Sequence, residues 1–397
     1  MERSSVKRKY IAVIAVYFVA NIIFMVGPAL NALSTTVYAN ESYTSVLLIS
    51  TISSLCMIPG SLIAGSILGK IKFRTMALIS MGGIAIFGGI PYFSQALPVV
   101  YVCRGVVGFC IGIGFPLQST LVLRLFPDPK QRTRALGFGT ISLSIGAIAF
   151  MVVAGSLADK NATYPFLFHA IALIPLAILM FTLEEPSATQ KTGEQESNAS
   201  KAPADGSLPG YALFTAFMFA VIFFAFYPVL LNMSSVCAYE NLGGAVVAGI
   251  LSSLFTIGNL IGGLTFEMLS KMLRKHVTVF GLALWVSGTA CVAFGKSIAL
   301  IVIGALLTGW AVQTVWPATV NSYADYVPAT KQSMASAVFA SGMNIGCFCT
   351  TYFISGVARV AGSDDPRLPI VYGFFIVLVS AVIWAIANTL RRTPSAN

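Results

Sequence analysis

The sequence predicts an all-α membrane protein: twelve transmembrane helices in two pseudo-symmetric bundles of six, with both termini cytoplasmic. Three observations point there. The chain is 57% hydrophobic and only 10% charged, with a mean hydropathy of +0.84. No soluble chain of 397 residues needs that much apolar surface, because a core is limited by volume and the rest must face water. The apolar residues also fall in stretches of the roughly 20 residues needed to cross about 30 Å of hydrocarbon. Finally, the chain repeats at an offset of 201 residues: Asn31, Ser34, Tyr38 and Asn40 return as Asn232, Ser235, Tyr239 and Asn241. Lys70 returns as Lys271, and Gly108, Pro116, Pro127, Lys130 and Gln131 return as Gly309, Pro317, Pro328, Lys331 and Gln332. Two apolar bundles running in the same direction are the build of a two-lobed transporter.

The expected spans of the first copy are 10–38, 43–69, 74–94, 97–125, 135–158 and 164–183. Those of the second are 210–239, 243–269, 276–296, 298–325, 332–360 and 367–390. The first stretch is too long, and too marked by Gly, Pro and Asn, for a cleaved secretory signal. Alternating segments of about ten residues, the mark of a strand barrel, are not found. Helices satisfy their own backbone in lipid, so the spans are read as helices. The halves are therefore 1–183 and 210–397, joined by a polar, small-residue-rich cytoplasmic linker at 184–209.

The net charge of +10 suggests nucleic acid until its placement is examined. Nineteen of the 24 Lys and Arg lie at one set of span ends or in the linker. They include Arg3, Lys7, Arg8, Lys9, Lys72, Arg132, Arg134, Arg274 and Arg392; only Lys160, Lys296, Arg359 and Arg367 lie at the other ends. This is the positive-inside pattern, with a minor part for anionic lipid headgroups, and no nucleic-acid partner is expected. The seven cysteines all fall within spans and read as small packing residues. No metal, cofactor or catalytic constellation is expected, and no Gly-rich loop with a following Lys-Ser/Thr points to ATP hydrolysis.

Glycines such as Gly108, Gly112, Gly258 and Gly262 are spaced for close helix contact. Prolines inside spans, Pro116 and its mate Pro317 above all, are expected to kink the fourth and tenth spans alike.

Three features resemble the major facilitator superfamily. One is the six-plus-six repeat with a polar central loop. The second is Arg104-Gly-Val-Val-Gly108, similar to its Arg-x-x-x-Gly motif. The third is the basic loop of Gly65, Gly69, Lys70, Lys72 and Arg74, similar to its Gly-x-x-x-Asp-Arg/Lys-x-Gly-Arg loop. Gly69 stands where that loop usually has Asp, although Gly263 and Glu267 keep the spacing in the second copy. The Gly-Pro of the drug-antiporter motif is replaced by Phe150-Met151.

Arg104 is the one strong charge deep in a span, about seven residues and roughly 10 Å from the end of its helix. A charge at that depth is a functional candidate. It either clamps backbone carbonyls of the first span or meets an anionic substrate; its mate is Ala305. No Asp or Glu lies in the middle of any span, so a lipophilic cation would have no buried carboxylate to meet. His169 reads as structural, at a lipid edge, or as a proton carrier. Asn31 and Asn232 are matched candidates for lining the cavity or for joining helices. The resemblance implies a cavity lined by the first, fourth, seventh and tenth spans, which adds Tyr227, Trp310, Gln313 and Trp316; Asn259 and Asn344 join them from the eighth and eleventh. Arg124 and Asp325 are 201 residues apart with opposite sign, and are expected to pair as an inner gate.

The expected function is secondary active transport of a small organic solute, an organic anion such as a carboxylate, by alternating access, proton-coupled or by exchange. The expected setting is a prokaryotic plasma membrane, as a monomer. The alternatives are an efflux pump for neutral or zwitterionic drugs, and a non-transporting receptor or scaffold on a transporter fold. The last would need a signalling segment, which the seven residues after Leu390 are not expected to supply.

Overall fold

A computed structural model describes residues 2–67, 70–126, 128–183, 208–328 and 331–390. Among them, twelve helical stretches are long and apolar enough to cross a membrane. In the first half they are Val6–Thr35, Tyr43–Ile67, Phe73–Phe93, Leu97–Leu125, Lys130–Ala158 and Tyr164–Thr182. In the second they are Gly210–Leu231, Ala245–Leu273, Val277–Phe294, Ile298–Tyr326, Met334–Ala361 and Leu368–Leu390. Expected and observed ends differ by a few residues; the seventh span departs most, because it breaks near its end. Nearly all of the expected linker, 184–207, lies outside the described residues, as does Gly69.

The chain divides into two compact units, Met1–Ser200 and Lys201–Asn397. In the first unit the second span packs along the fourth, the first along the fifth and sixth, and the third along the fourth and sixth. In the second unit the eighth packs along the tenth, the seventh along the eleventh and twelfth, and the ninth along the tenth and twelfth. Each pairing is its counterpart advanced by six spans, so the sequence repeat holds in the packing too. Two mated glycines show why. A Cβ at Gly108 would lie 2.1 Å from the Ser53 carbonyl oxygen, and one at Gly309 would lie 2.0 Å from that of Phe255. In lipid, where tails are as apolar as Leu, such backbone contact holds helices together.

The two expected kinks are not where the helices break. Pro116 and Pro317 lie inside helices that run uninterrupted over Leu97–Leu125 and Ile298–Tyr326. The first span instead passes from an α-helix, Glu2–Phe18, into a 3-10 helix, Ile22–Ala29, around Pro28. The seventh passes from Gly210–Phe226 through Pro228–Leu231 to Met233–Tyr239. Pro28 and Pro228 each withhold a backbone donor where these helices change course. The sixth span contains a 3-10 stretch, Phe168–Ala172, and the third a π turn, Leu78–Gly82.

Candidate functional site

The first unit builds a polar cluster around Arg104, which is fully buried. Its Nε donates to the Ile49 carbonyl at 2.9 Å and its Nη1 to His169 Nε2 at 3.2 Å. Ser53 Oγ donates to the Arg104 carbonyl at 2.8 Å. His169 Nδ1 lies 3.1 Å from the carbonyl oxygens of both Pro165 and Phe166. Carbonyls only accept and guanidinium only donates, so the imidazole is neutral with its proton on Nδ1. The 3-10 stretch of the sixth span turns this ring toward the fourth, and Gly88 makes room for it: a Cβ there would lie 2.5 Å from the ring.

Arg104 thus donates to a backbone carbonyl of the second span, that of Ile49. His169 is fully buried, which fits its structural reading and corrects the one at a lipid edge. The cluster is also one-sided, since Arg104, His169 and Gly88 have Ala305, Ile370 and Thr289 as mates.

Asn31 and Asn232, expected as a matched pair, are placed differently. Asn232 is fully buried at the break of the seventh span and its Nδ2 donates to the Pro366 carbonyl at 2.9 Å. Asn31 is partly exposed, and its carbonyl accepts from Ser34 and Thr35. Beside Pro366, Arg367 forms an ion pair with Glu240 and donates from Nη1 to the Val292 carbonyl at 2.9 Å. That pair joins the end of the seventh span, the end of the ninth and the start of the twelfth. Sequence reasoning missed it; the only signal was opposite charge at the same set of span ends.

The remaining lining candidates divide by environment. Tyr227 is buried where the seventh span breaks. Trp316 packs on Phe219 and Phe339, with ring centroids 5.5 and 5.0 Å away. Trp310 meets Phe280 of the ninth span edge-on at 6.2 Å, and its indole Nε1 is buried with no hydrogen-bond partner among the described residues. Asn344 Nδ2 donates to the Ala340 carbonyl of its own helix at 3.1 Å. Asn259 Oδ1 is buried and likewise lacks a partner among the described residues. Gln313, part-buried, stands beside Gly262 and Gly263.

At the span ends, the Arg124 guanidinium lies over the Phe73 ring, 5.2 Å from its centroid, and Asp325 is exposed. Of the basic loop, Gly65 and Lys70 are exposed, while Arg74 Nε donates to the Leu183 carbonyl at 3.0 Å, tying the start of the third span to the end of the sixth. Glu267 pairs with Lys271 at 2.6 Å, both exposed.

The sequence matches the family model described as Major Facilitator Superfamily over residues 10–236 and 213–397. The fold is similar to that of a nucleoside transporter, NupG, at 13% identity over 98% of this chain and 99% of that one, with a TM-score of 0.76. It is similar to a D-xylose–proton symporter at 15% identity over 97% of each chain, TM-score 0.75. It is also similar to the human organic anion transporter MFSD10, at 13% identity over 96% and 99% of the two chains, TM-score 0.63.

Proposed function

The chain belongs to the major facilitator superfamily, and from that premise we propose that it is a secondary active transporter that moves a small polar organic solute carrying no positive charge. The observation that carries this reading is the charge inventory at membrane depth. Among the described residues no Asp or Glu stands in the middle of a span, and the acids that do fall in spans, Glu267 and Asp325, are exposed near helix ends. A cation leaving water for the membrane interior loses hydration that a buried carboxylate would replace most directly.

A neutral polar solute fits this geometry first. Arg104 is already engaged by Ile49 and His169 in the packing of its own bundle, whereas Asn259, Trp310 and Gln313 place uncharged hydrogen-bonding groups on the eighth and tenth spans. The similar folds named for a nucleoside transporter and a D-xylose–proton symporter are consistent with it. The second reading, an organic anion such as a carboxylate, is favoured by Arg104 as the one mid-span charge, and requires that arginine to exchange a scaffold partner for substrate in another conformation. Either solute would move by alternating access, coupled to protons or by exchange. The basic linker-side ends support cytoplasmic termini in a plasma membrane, the protein acting as a monomer, with Arg124 and Asp325 as a gate pair. A thermal-shift screen of the purified protein against sugars, carboxylates, amino acids and lipophilic cations tests the proposal. Stabilisation by cations alone overturns it; stabilisation by carboxylates that is lost in Arg104→Ala replaces the first reading with the second.

A further inference from the structure

Most hydroxyl and amide side chains along the spans of the second unit bond to a backbone carbonyl. Thr289 reaches Trp285 at 2.7 Å, Thr314 reaches Trp310 at 2.8 Å, Thr319 reaches Val315 at 2.8 Å and Asn344 reaches Ala340 at 3.1 Å. Asn259 and Gln313 depart from this. Neither side chain has a hydrogen-bond partner among the described residues, and Asn259 Oδ1 is buried in that condition. A buried amide oxygen without a partner is costly, so Asn259 Oδ1 asks for a ligand, and Gln313, part-exposed, is open to one.

Their surroundings form a shaped place. Asn259 lies one helical turn before Gly263 on the same face of the eighth span, a spacing of about 5–6 Å between side-chain origins. A Cβ at Gly263 would lie 3.7 Å from Gln313 Cγ and 3.9 Å from its Nε2. Glycines hold the two spans together just beside this point: a Cβ at Gly258 would lie 2.1 Å from the Leu306 carbonyl oxygen, and one at Gly309 would lie 2.9 Å from Asn259 N. The two amides are therefore carried on backbones already in contact, with Gly263 beside Gln313 and one turn along the eighth span from Asn259. Their mates in the first half are Ile58, Leu62 and Gly112, so no equivalent exists there.

We infer that Asn259, Gly263 and Gln313 form a recognition notch for a neutral solute bearing two neighbouring hydroxyl groups, which rests on the reading that the substrate carries no positive charge. Each amide offers a donor and an acceptor, as does each hydroxyl, so two adjacent hydroxyls satisfy both amides reciprocally. A solute without polar groups would leave them unpaired, and sites built to hydrogen-bond a hydroxyl reject analogues lacking it strongly. No Lys, Arg, Asp or Glu stands on residues 245–266 or 298–324, and Glu267, one turn beyond Gly263, is exposed and paired with Lys271, so neither segment offers an unpaired charge to an ion.

The experiment uses the full-length purified protein and thermal-shift titration with ribitol, cis-cyclohexane-1,2-diol, cyclohexanol, butyrate and tetraphenylphosphonium. The diol is expected to act at a concentration at least about tenfold below cyclohexanol, a factor of ten being 1.4 kcal/mol. Asn259→Ala and Gln313→Ala are each expected to raise the concentrations of ribitol and diol required by about tenfold or more. Gly263→Val, which fills the notch, is expected to abolish the diol response. Equal response to diol and cyclohexanol, or unchanged diol response in folded Asn259→Ala and Gln313→Ala, overturns the notch. So does the lack of any response to ribitol and diol. If Asn259→Ala does not fold, Gln313→Ala alone decides. Stabilisation by butyrate only removes the notch and leaves the wider reading standing, whereas stabilisation by tetraphenylphosphonium only removes both.

Discussion

Arg104 Nη1 donates to His169 Nε2 across 3.2 Å, and that bond, with the two carbonyls at Nδ1, leaves the imidazole only one protonation state. The fourth and sixth spans are thus joined by a charged donor and a neutral acceptor in a fully buried place. His169→Ala removes the acceptor from a guanidinium N–H that water cannot reach. Hydrogen bonds to charged groups contribute about 1.5–3 kcal/mol, so we expect a loss of about 2 kcal/mol, read as a lowered Tm of the purified protein. His169→Gln, which can still accept, should recover part of it. An unchanged Tm in His169→Ala would refute the role.

Arg104→Lys keeps the charge and discards the planar fork that reaches Ile49 and His169 together. We expect a loss of stability close to that of His169→Ala, with transport per folded molecule reduced less than tenfold. A variant as stable as the wild type yet inactive would assign Arg104 to substrate instead of scaffold.

Gly108→Ala and Gly309→Ala should behave as mates. Each puts a methyl about 2 Å from a carbonyl oxygen of the facing helix, and overpacking of this kind costs about 1–3 kcal/mol. Gly65→Ala, with nothing within 4 Å of its Cβ position, should stay within about 0.5 kcal/mol of wild type. Thermal unfolding of the three variants side by side checks this; a tolerated Gly108→Ala would contradict the packing.

Arg367 and Glu240 are coupled across 127 residues of sequence, with side chains only 11% and 22% exposed. In a double-mutant cycle of Glu240→Gln and Arg367→Met we expect a coupling of about 1–3 kcal/mol, above that of a solvated surface pair. Additive effects of the two changes would show that the contacts of Arg367 with backbone carbonyls, and not the ion pair, hold this end of the bundle.

The proposed gate has its own test. Arg124→Cys combined with Asp325→Cys should form a disulfide under mild oxidant in one transport state and not in another, because pairing requires Cα atoms within about 7 Å. Failure to crosslink with and without a stabilising solute would remove the gate.

The two proline mates Pro165 and Pro366 show where sequence reading stops. They are 201 residues apart and both carbonyls are used, but one accepts from His169 and the other from Asn232. The residues were visible in the sequence, and so was the break in symmetry at Arg104 and Ala305. Which donor reaches which carbonyl was not, because His169 comes from the same helix and Asn232 from a span 134 residues away. The breaks in the first and sixth spans were likewise hidden, since proline marks where a helix can bend and packing selects where it does.

By itself the sequence determined the number of spans, their places, the doubled plan, and a membrane interior with one guanidinium and no central carboxylate. These are local properties: a span is apolar over its own length whatever its neighbours do. The tertiary structure decided that Arg104 is held by Ile49 and His169, that Asn232 serves Pro366 while Asn31 does not share its burial, and that Gln313 stands beside Gly263, one turn from the buried Asn259 Oδ1. Those relationships depend on which helices pack together and how closely, a distance set by glycines on facing spans and not written along either one.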